Sequence, residues 1–199
     1  MSAHDDDADL QPTFAEGFKL GAEKSVDEYA ELDKNDESLN RWKASLGIGA
    51  PGAAAASGPK VTVLSLSLKS STLPADKVMD LSNPAVVETY KKNPFNIKEK
   101  VEYNVVIKFR VNHGIVSGLR YMHAVKAAKM TVDTVEEMIG SYGPKPDGSA
   151  HEVTLPTDES PGGMVARAAG TYTVTSKIVD DDRQEYAKFQ WSFKLTKDW

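Results

Sequence analysis

Residues 101–111 read Val-Glu-Tyr-Asn-Val-Val-Ile-Lys-Phe-Arg-Val. Val101, Tyr103, Val105, Ile107, Phe109 and Val111 hold the odd positions; Glu102, Asn104, Lys108 and Arg110 hold the even ones, with Val106 the exception. Successive side chains of a strand point to opposite faces, so this period of two predicts a strand with one apolar face. Residues 187–195 repeat the pattern: Ala187, Phe189, Trp191, Phe193 and Leu195 alternate with Lys188, Gln190, Ser192 and Lys194. Leu64, Leu66 and Leu68 mark another strand, and Tyr172, Val174 and Ile178 a fourth. Weaker alternation predicts strands over 115–125 and 151–155. Turn-forming groups separate them at Asn112–Gly114, Pro144–Gly148, Pro161–Gly163 and Asp180–Asp182. Many strands with no long helix between them predict an all-β fold, an antiparallel sandwich, over residues 60–199.

Upstream the character changes. Residues 47–59 read Gly-Ile-Gly-Ala-Pro-Gly-Ala-Ala-Ala-Ala-Ser-Gly-Pro, a flexible linker by composition. Residues 1–59 carry 5 Lys and Arg against 12 Asp and Glu, whereas residues 60–199 carry 19 against 17. The net charge of −5 therefore belongs to the first segment, read here as an acidic arm. Two short helices are predicted in it. Ser25 and Glu28 form a capping box that opens one near 25–32. The other spans about 36–46, starting within Asp33–Asp36, with Leu39, Trp42 and Leu46 on one face and Gly47 as its stop. Each is shorter than the roughly 12 residues needed for marginal stability alone. Their apolar stripes either pack on the sandwich or on each other, or fold on a partner.

Composition removes several function classes. The chain offers no basic field for nucleic acid. It has no cysteine, so no disulfide framework, and a cytosolic address is expected. The first ten residues hold four aspartates rather than a basic start and apolar run, so no secretory signal is read there. Neither a lipidation motif nor a run of about 20 apolar residues occurs. No Gly-x-x-x-x-Gly-Lys loop is present, and His4, His113, His123 and His151 lack metal-ligand spacing. Asp180–Asp182 lacks the glycine and terminal glutamate of a calcium loop and reads as a solvated hairpin turn. Nothing such as Gly-x-Ser-x-Gly promotes a nucleophile. No catalytic residue, metal or cofactor is expected, and the chain reads as a binding protein rather than an enzyme.

Six motifs in order make the reading specific. They are Glu31-Leu32-Asp33-Lys34-Asn35-Asp36-Glu37-Ser38-Leu39 with Trp42-Lys43 and Leu46-Gly47; Phe109-Arg110-Val111-Asn112 with Ile115-Val116-Ser117-Gly118; Gly140-Ser141-Tyr142-Gly143-Pro144; Gly163-Met164-Val165-Ala166-Arg167; Asp180-Asp181-Asp182; and Lys197-Asp198-Trp199. Together they resemble the Rho GDP-dissociation inhibitors, from about Phe18 to Trp199. That resemblance implies an immunoglobulin-like sandwich behind a flexible arm. It also implies a partner: prenylated (geranylgeranylated) Rho/Rac-type small GTPases, mainly GDP-bound. The inhibitor slows GDP release, extracts the GTPase from membranes and keeps it soluble in the cytosol as a heterodimer, being itself a monomer.

The resemblance also assigns residues. Asp33, Asp36, Leu39 and Trp42 correspond to the arm's contacts with the GTPase switch region; Asp36 is equally placed to cap the second helix. Leu68, Phe95, Tyr103, Ile115, Phe189, Trp191 and Phe193 correspond to a prenyl slot between the sheets, although alternation alone would read them as core. Phe189-Gln190-Trp191 stands where the family commonly has Trp-x-Trp, which reshapes the slot slightly. Glu136, Glu137, Asp158 and Glu159 correspond to positions that meet the partner's basic tail; surface solvation explains them as well.

Overall fold

A computed structural model describes residues 10–13, 35–45 and 58–199 of the chain. The helix expected near 25–32 and most of the linker lie outside these residues. Among the described residues ten strands form two facing sheets. The first contains β1 (Val61–Lys69), β2 (Lys77–Asp80), β4 (Glu102–Val111) and β7 (His151–Thr154) in the order β2-β1-β4-β7, with β8 (Asp158–Glu159) also pairing β4. The second contains β3 (Phe95–Lys98), β5 (Val116–Ala127), β6 (Met130–Tyr142), β9 (Thr171–Val179) and β10 (Glu185–Thr196) in the order β3-β10-β9-β5-β6. The all-β sandwich is as expected, with one departure: β3 runs parallel to β10.

Alternation decides the inner faces. Val105, Ile107, Phe109 and Val111 of β4 and Phe189, Trp191, Phe193 and Leu195 of β10 are all buried in one core. Strand β1 changes phase. Val61 and Val63 face inward, then Leu66 and Leu68, because the pairing with β4 slips between Val63 and Ser65. Leu64 sits at this bulge and is only half buried, so it does not share a face with Leu66 and Leu68 as the spacing suggested.

Among the described residues three helices accompany the sheets: α1 (Glu37–Ser45), α2 (Pro84–Lys92) and α3 (Met164–Ala168). The sequence reading missed α2, although its start is marked. Asn83 caps it by accepting from the Ala85 N–H at 3.1 Å, and Pro84 occupies the first turn. The Ser192 hydroxyl donates to the Tyr90 and Lys91 carbonyls at 3.2 and 3.0 Å, which holds α2 across the back of β10. Strand β6 was also missed. Its apolar positions change phase where the pairing with β5 slips, between Thr131 and Asp133 and again between Met138 and Gly140.

The core is unevenly filled. Between the Asn112–Gly114 turn, which crosses from β4 of one sheet to β5 of the other, and the middle of the sheets it is solid: Leu66, Ile107, Phe109, Leu119, Tyr121 and Ile178 are almost wholly buried. Towards the other end the two sheets separate.

Candidate functional site

A cavity of about 450 Å³ opens there between the sheets. Leu68 of β1 and Tyr103 and Val105 of β4 form one wall. Val125 and Ala127 of β5, Tyr172 and Val174 of β9, and Trp191 and Phe193 of β10 form the other. The size is within the ~300–1,000 Å³ of small-ligand sites. Strand period explains the wall: these residues are two apart on their strands, hence on one face. Val165 and Ala166 of α3 close one side of the mouth, and Val132 of β6 the other. Val165 is 87% exposed, Met164 78% and Met130 68%, so the rim is apolar on its outer side too.

Helix α3 is fixed by polar contacts. The Gly163 N–H donates to Glu99 Oε2 at 2.8 Å, Arg167 pairs with Glu99 Oε1, and the Tyr172 hydroxyl donates to the Ala166 carbonyl at 2.8 Å. The Gly163 N–H, followed by Arg167, holds the Glu99 carboxyl below its ordinary range despite some desolvation.

The cavity ends inward on hydrogen-bonded groups. Trp191 Nε1 donates to Ser176 Oγ at 3.1 Å, the Tyr121 hydroxyl meets Ser176 Oγ at 3.0 Å, and His123 Nδ1 lies 3.3 Å from the Tyr121 hydroxyl. Burial pushes the Tyr121 phenol up and the His123 imidazole down, so both are neutral at pH 7. Acidic groups stand at the mouth: Asp133, Asp158 and Glu159 line it. The Tyr103 hydroxyl donates to Asp158 Oδ2 at 3.0 Å, and burial together with Asp158 raises the Tyr103 phenol.

Of the residues assigned to the slot, Leu68, Tyr103, Trp191 and Phe193 line the cavity. Phe95 does not; it stacks on Tyr90 at 5.8 Å and meets the edge of Trp191 at 6.3 Å. Phe189 is buried beyond the inner end, paired with Ser176 in the ladder. Ile115 lies before β5, beside the Asn112–Gly114 turn between the sheets and at the opposite end of the sandwich. Its apolar character matched the slot, but its place along the strand does not.

The acidic pairs divide in the same way. Asp158 and Glu159 are at the mouth. Glu136 is opposite Met122 and Glu137 opposite Tyr121, so they point to opposite faces of the sheet. On the outer face Glu136 pairs with Arg120 at 3.0 Å and accepts from the Thr13 N–H at 3.1 Å. Arg120 also pairs with Asp181 at 2.8 Å and donates to the Thr13 carbonyl. Residues 10–13 are thereby strapped across the back of β5, with Leu10 1% exposed against Met122, Ala124 and Val179. Asp180–Asp182 is the expected turn, with Asp182 exposed and Asp181 half buried, but Asp180 does not fit a solvated one. Asp180 is fully buried, accepting from the Gln184 N–H at 2.9 Å and the Tyr186 hydroxyl at 2.5 Å.

In the arm, Asp36 Oδ1 accepts from the Ser38 and Leu39 N–H groups at 2.9 and 3.0 Å, which caps α1. Residues 35–41, Leu39 included, are exposed. Asp33 and the side chain of Trp42 lie outside what the structure describes. Sequence reasoning did not single out Tyr121, His123, Asp133, Ser176 or Val165. Tyr121, His123 and Val125 alternate along 115–125, which would have identified their shared face.

The model of the RHO protein GDP dissociation inhibitor family matches residues 2–198. The chain is 40% identical over 194 residues to the Rho GDP-dissociation inhibitor of Schizosaccharomyces pombe, covering 94% of this chain and 90% of that one. It is 38% identical over 182 residues to Rho GDP-dissociation inhibitor 1 of Homo sapiens, covering 92% and 86%. It is 36% identical over 184 residues to the Rho GDP-dissociation inhibitor of Saccharomyces cerevisiae, covering 90% of each.

Proposed function

Because the chain belongs to the Rho GDP-dissociation inhibitor family, we propose that it binds Rho-type small GTPases, retains GDP on them and carries their prenyl chain between its two sheets. It is a regulatory inhibitor rather than an enzyme. The observation that carries the lipid part is the cavity itself. A sandwich with a solid core at one end opens at the other into an apolar slot with an apolar rim. Leu68, Tyr103, Trp191 and Phe193 would contact the hydrocarbon, and Phe95 and Phe189 would support Trp191 and Ser176 from behind. Asp133, Asp158 and Glu159 would meet the basic residues that precede the lipidated cysteine.

In this reading residues 1–59 act as an arm and residues 60–199 as the lipid-binding sandwich. Asp33, Asp36, Leu39 and Trp42 engage the switch region. The exposed surface of α1 suits such an engagement, since nothing described covers Leu39. The protein works from the cytosol, drawing its partner off membranes. Among the described residues no helix is long and apolar enough to cross one.

The test compares the full chain with residues 58–199 in a GDP-release assay on a prenylated Rho GTPase loaded with fluorescent GDP. The full chain is expected to slow release strongly. The shorter chain is expected to bind the lipid while slowing release poorly. Equal inhibition by both would refute the role of the arm, and no inhibition by the full chain would refute the function.

A further inference from the structure

The inner face of the second sheet is built in rows set by the strand register. Phe193, Tyr172 and Ala127 form the row nearest the mouth, Trp191, Val174 and Val125 the next, and Phe189, Ser176 and His123 the third. The first two rows line the slot completely; of the third only His123 does. On the facing sheet Leu68 and Val105 are the last wall residues, and the pair behind them, Leu66 and Ile107, is wholly buried. Both walls therefore stop at one level. Ala127 and His123 are four residues apart on β5, about 13 Å at ~3.4 Å per residue.

What stops the slot is polar. Ser176 Oγ joins Tyr121 and Trp191, and His123 joins Tyr121, in a buried polar cluster inside the apolar core. We propose that Tyr121, His123 and Ser176 form a polar floor that fixes how deep a prenyl chain enters, and so set the chain length this protein prefers. The proposal rests on the reading of the cavity as the lipid slot. Hydrocarbon pushed past the floor would separate these partners and leave buried donors unpaired, whereas hydrocarbon ending above it leaves each one satisfied. An apolar floor would repack around a longer chain; this one resists. His123, made neutral by burial, adds no charge beside the chain.

The experiment uses the full-length protein and one GTPase-tail peptide in three forms: unprenylated, farnesylated, and geranylgeranylated, which is longer by one isoprene unit. His123→Trp puts a second ring over the floor while keeping a ring N–H, and so shortens the slot. Each methylene-sized group expelled costs about fourfold in affinity, so losing two lowers geranylgeranyl binding roughly tenfold or more. Farnesyl binding should change far less. Ser176→Ala removes one oxygen with little change in volume, loosens the floor and should shift the affinity ratio the other way. Melting curves confirm that each variant is folded; the second variant serves if the first is not. An equal loss for both lipids, or an unchanged ratio in both variants, would overturn the floor as a length stop. Wild-type protein that binds neither lipidated peptide better than the bare one would instead overturn the slot reading beneath it.

Discussion

Gly118→Ala should destabilise the sandwich by about 3 kcal/mol, and the structure says why. Gly118 has φ +58°, and a Cβ built there would lie 2.0 Å from Asp181 Oδ2. Holding alanine in the left-handed region costs about 1 kcal/mol. The carboxylate cannot stay where it is, so Asp181 must give up its 2.8 Å pair with Arg120. A charge-assisted hydrogen bond of this kind contributes roughly 1.5–3 kcal/mol, towards the lower end here because both side chains keep some contact with water. The sum is a large share of the ~5–15 kcal/mol stability of a typical domain. Urea unfolding of the full chain measures it as a lower midpoint at constant slope. The same substitution in an Asp181→Ala background should cost only the backbone part, about 1 kcal/mol, because the clashing carboxylate is gone. The difference between the backgrounds is the coupling of the two residues. Equal costs in both, or a single-variant loss below about 1 kcal/mol, would refute the reasoning.

Trp191→Asp should abolish lipid-dependent affinity for a prenylated GTPase while leaving weak binding to the unprenylated form; membrane extraction that survives would remove Trp191 from the slot. Asp36→Ala deletes the α1 cap, costing that helix about 1 kcal/mol, and should weaken GTPase binding without moving the melting of the sandwich. Unchanged affinity would leave Asp36 a cap alone. Burial holds the His123 imidazole below its ordinary value, against the opposing pull of Asp133 and Asp158, with the Tyr121 hydroxyl beside it. The unfolded chain then binds more protons below about pH 6.5, so the His123 contribution to stability is whole above that value and is lost as the pH falls from it through the lowered folded one. Unfolding midpoints at about pH 8 and pH 5.5 should therefore fall more for the wild type than for His123→Gln, and equal falls would contradict the assignment.

Much of the fold was legible because alternation survives wherever a strand has one wet face. Residues 101–111 and 187–195 gave β4 and β10 almost to their ends. Where the backbone slips register, the pattern breaks. Leu64 lies on a bulge and misled the reading of β1, and the slips along β6 hid a strand of 13 residues. The slot was less legible than the sandwich for a physical reason. A wall residue and a core residue have the same period and the same chemistry; only their place along the strand separates them. Ile115 and Trp191 are alike as apolar inward candidates, yet one sits by the closed end and the other lines the cavity.

Three of the six motifs behind the family resemblance, Phe109–Gly118, Gly140–Pro144 and Asp180–Asp182, serve the closed end. The Gly118 N–H donates to Ser141 Oγ at 3.1 Å, and the Asp181 N–H donates to the Ser117 carbonyl at 3.1 Å. Phe109 meets the Tyr142 ring edge-on at 5.1 Å, and His151 Nε2 lies 2.9 Å from the Gly143 carbonyl. These contacts lock β4, β5, β6 and the β9–β10 turn into one unit. Gly163–Arg167 differs, because it becomes the rim helix of the slot. Those three motifs thus identify the scaffold more directly than the chemistry of the site.

Direction of transfer is the remaining question for the proposed function. A prenyl chain of about twenty carbons gains ~0.8 kcal/mol per methylene-sized group on leaving water, whether it enters a bilayer or a slot. That gain nearly cancels when the chain moves from one to the other. The acidic mouth does not break the tie alone, since an anionic leaflet attracts a basic tail by about 1 kcal/mol per Lys or Arg. Asp133, Asp158 and Glu159 match that attraction rather than exceed it. What a membrane lacks is a surface for the switch region, and that is the part assigned to the arm. Tethering raises the arm's effective concentration at the partner. The strap at residues 10–13 adds a second attachment upstream of α1, with Leu10 fixed on β5 and β9 and Thr13 fixed by Arg120 and Glu136. Arg120 also holds Asp181, so the contact that orders the Gly118 bulge is shared with the one that anchors the strap. In the proposed function the closed end of the sandwich would therefore do more than support the slot: the strap at residues 10–13 would fix one place from which the arm reaches.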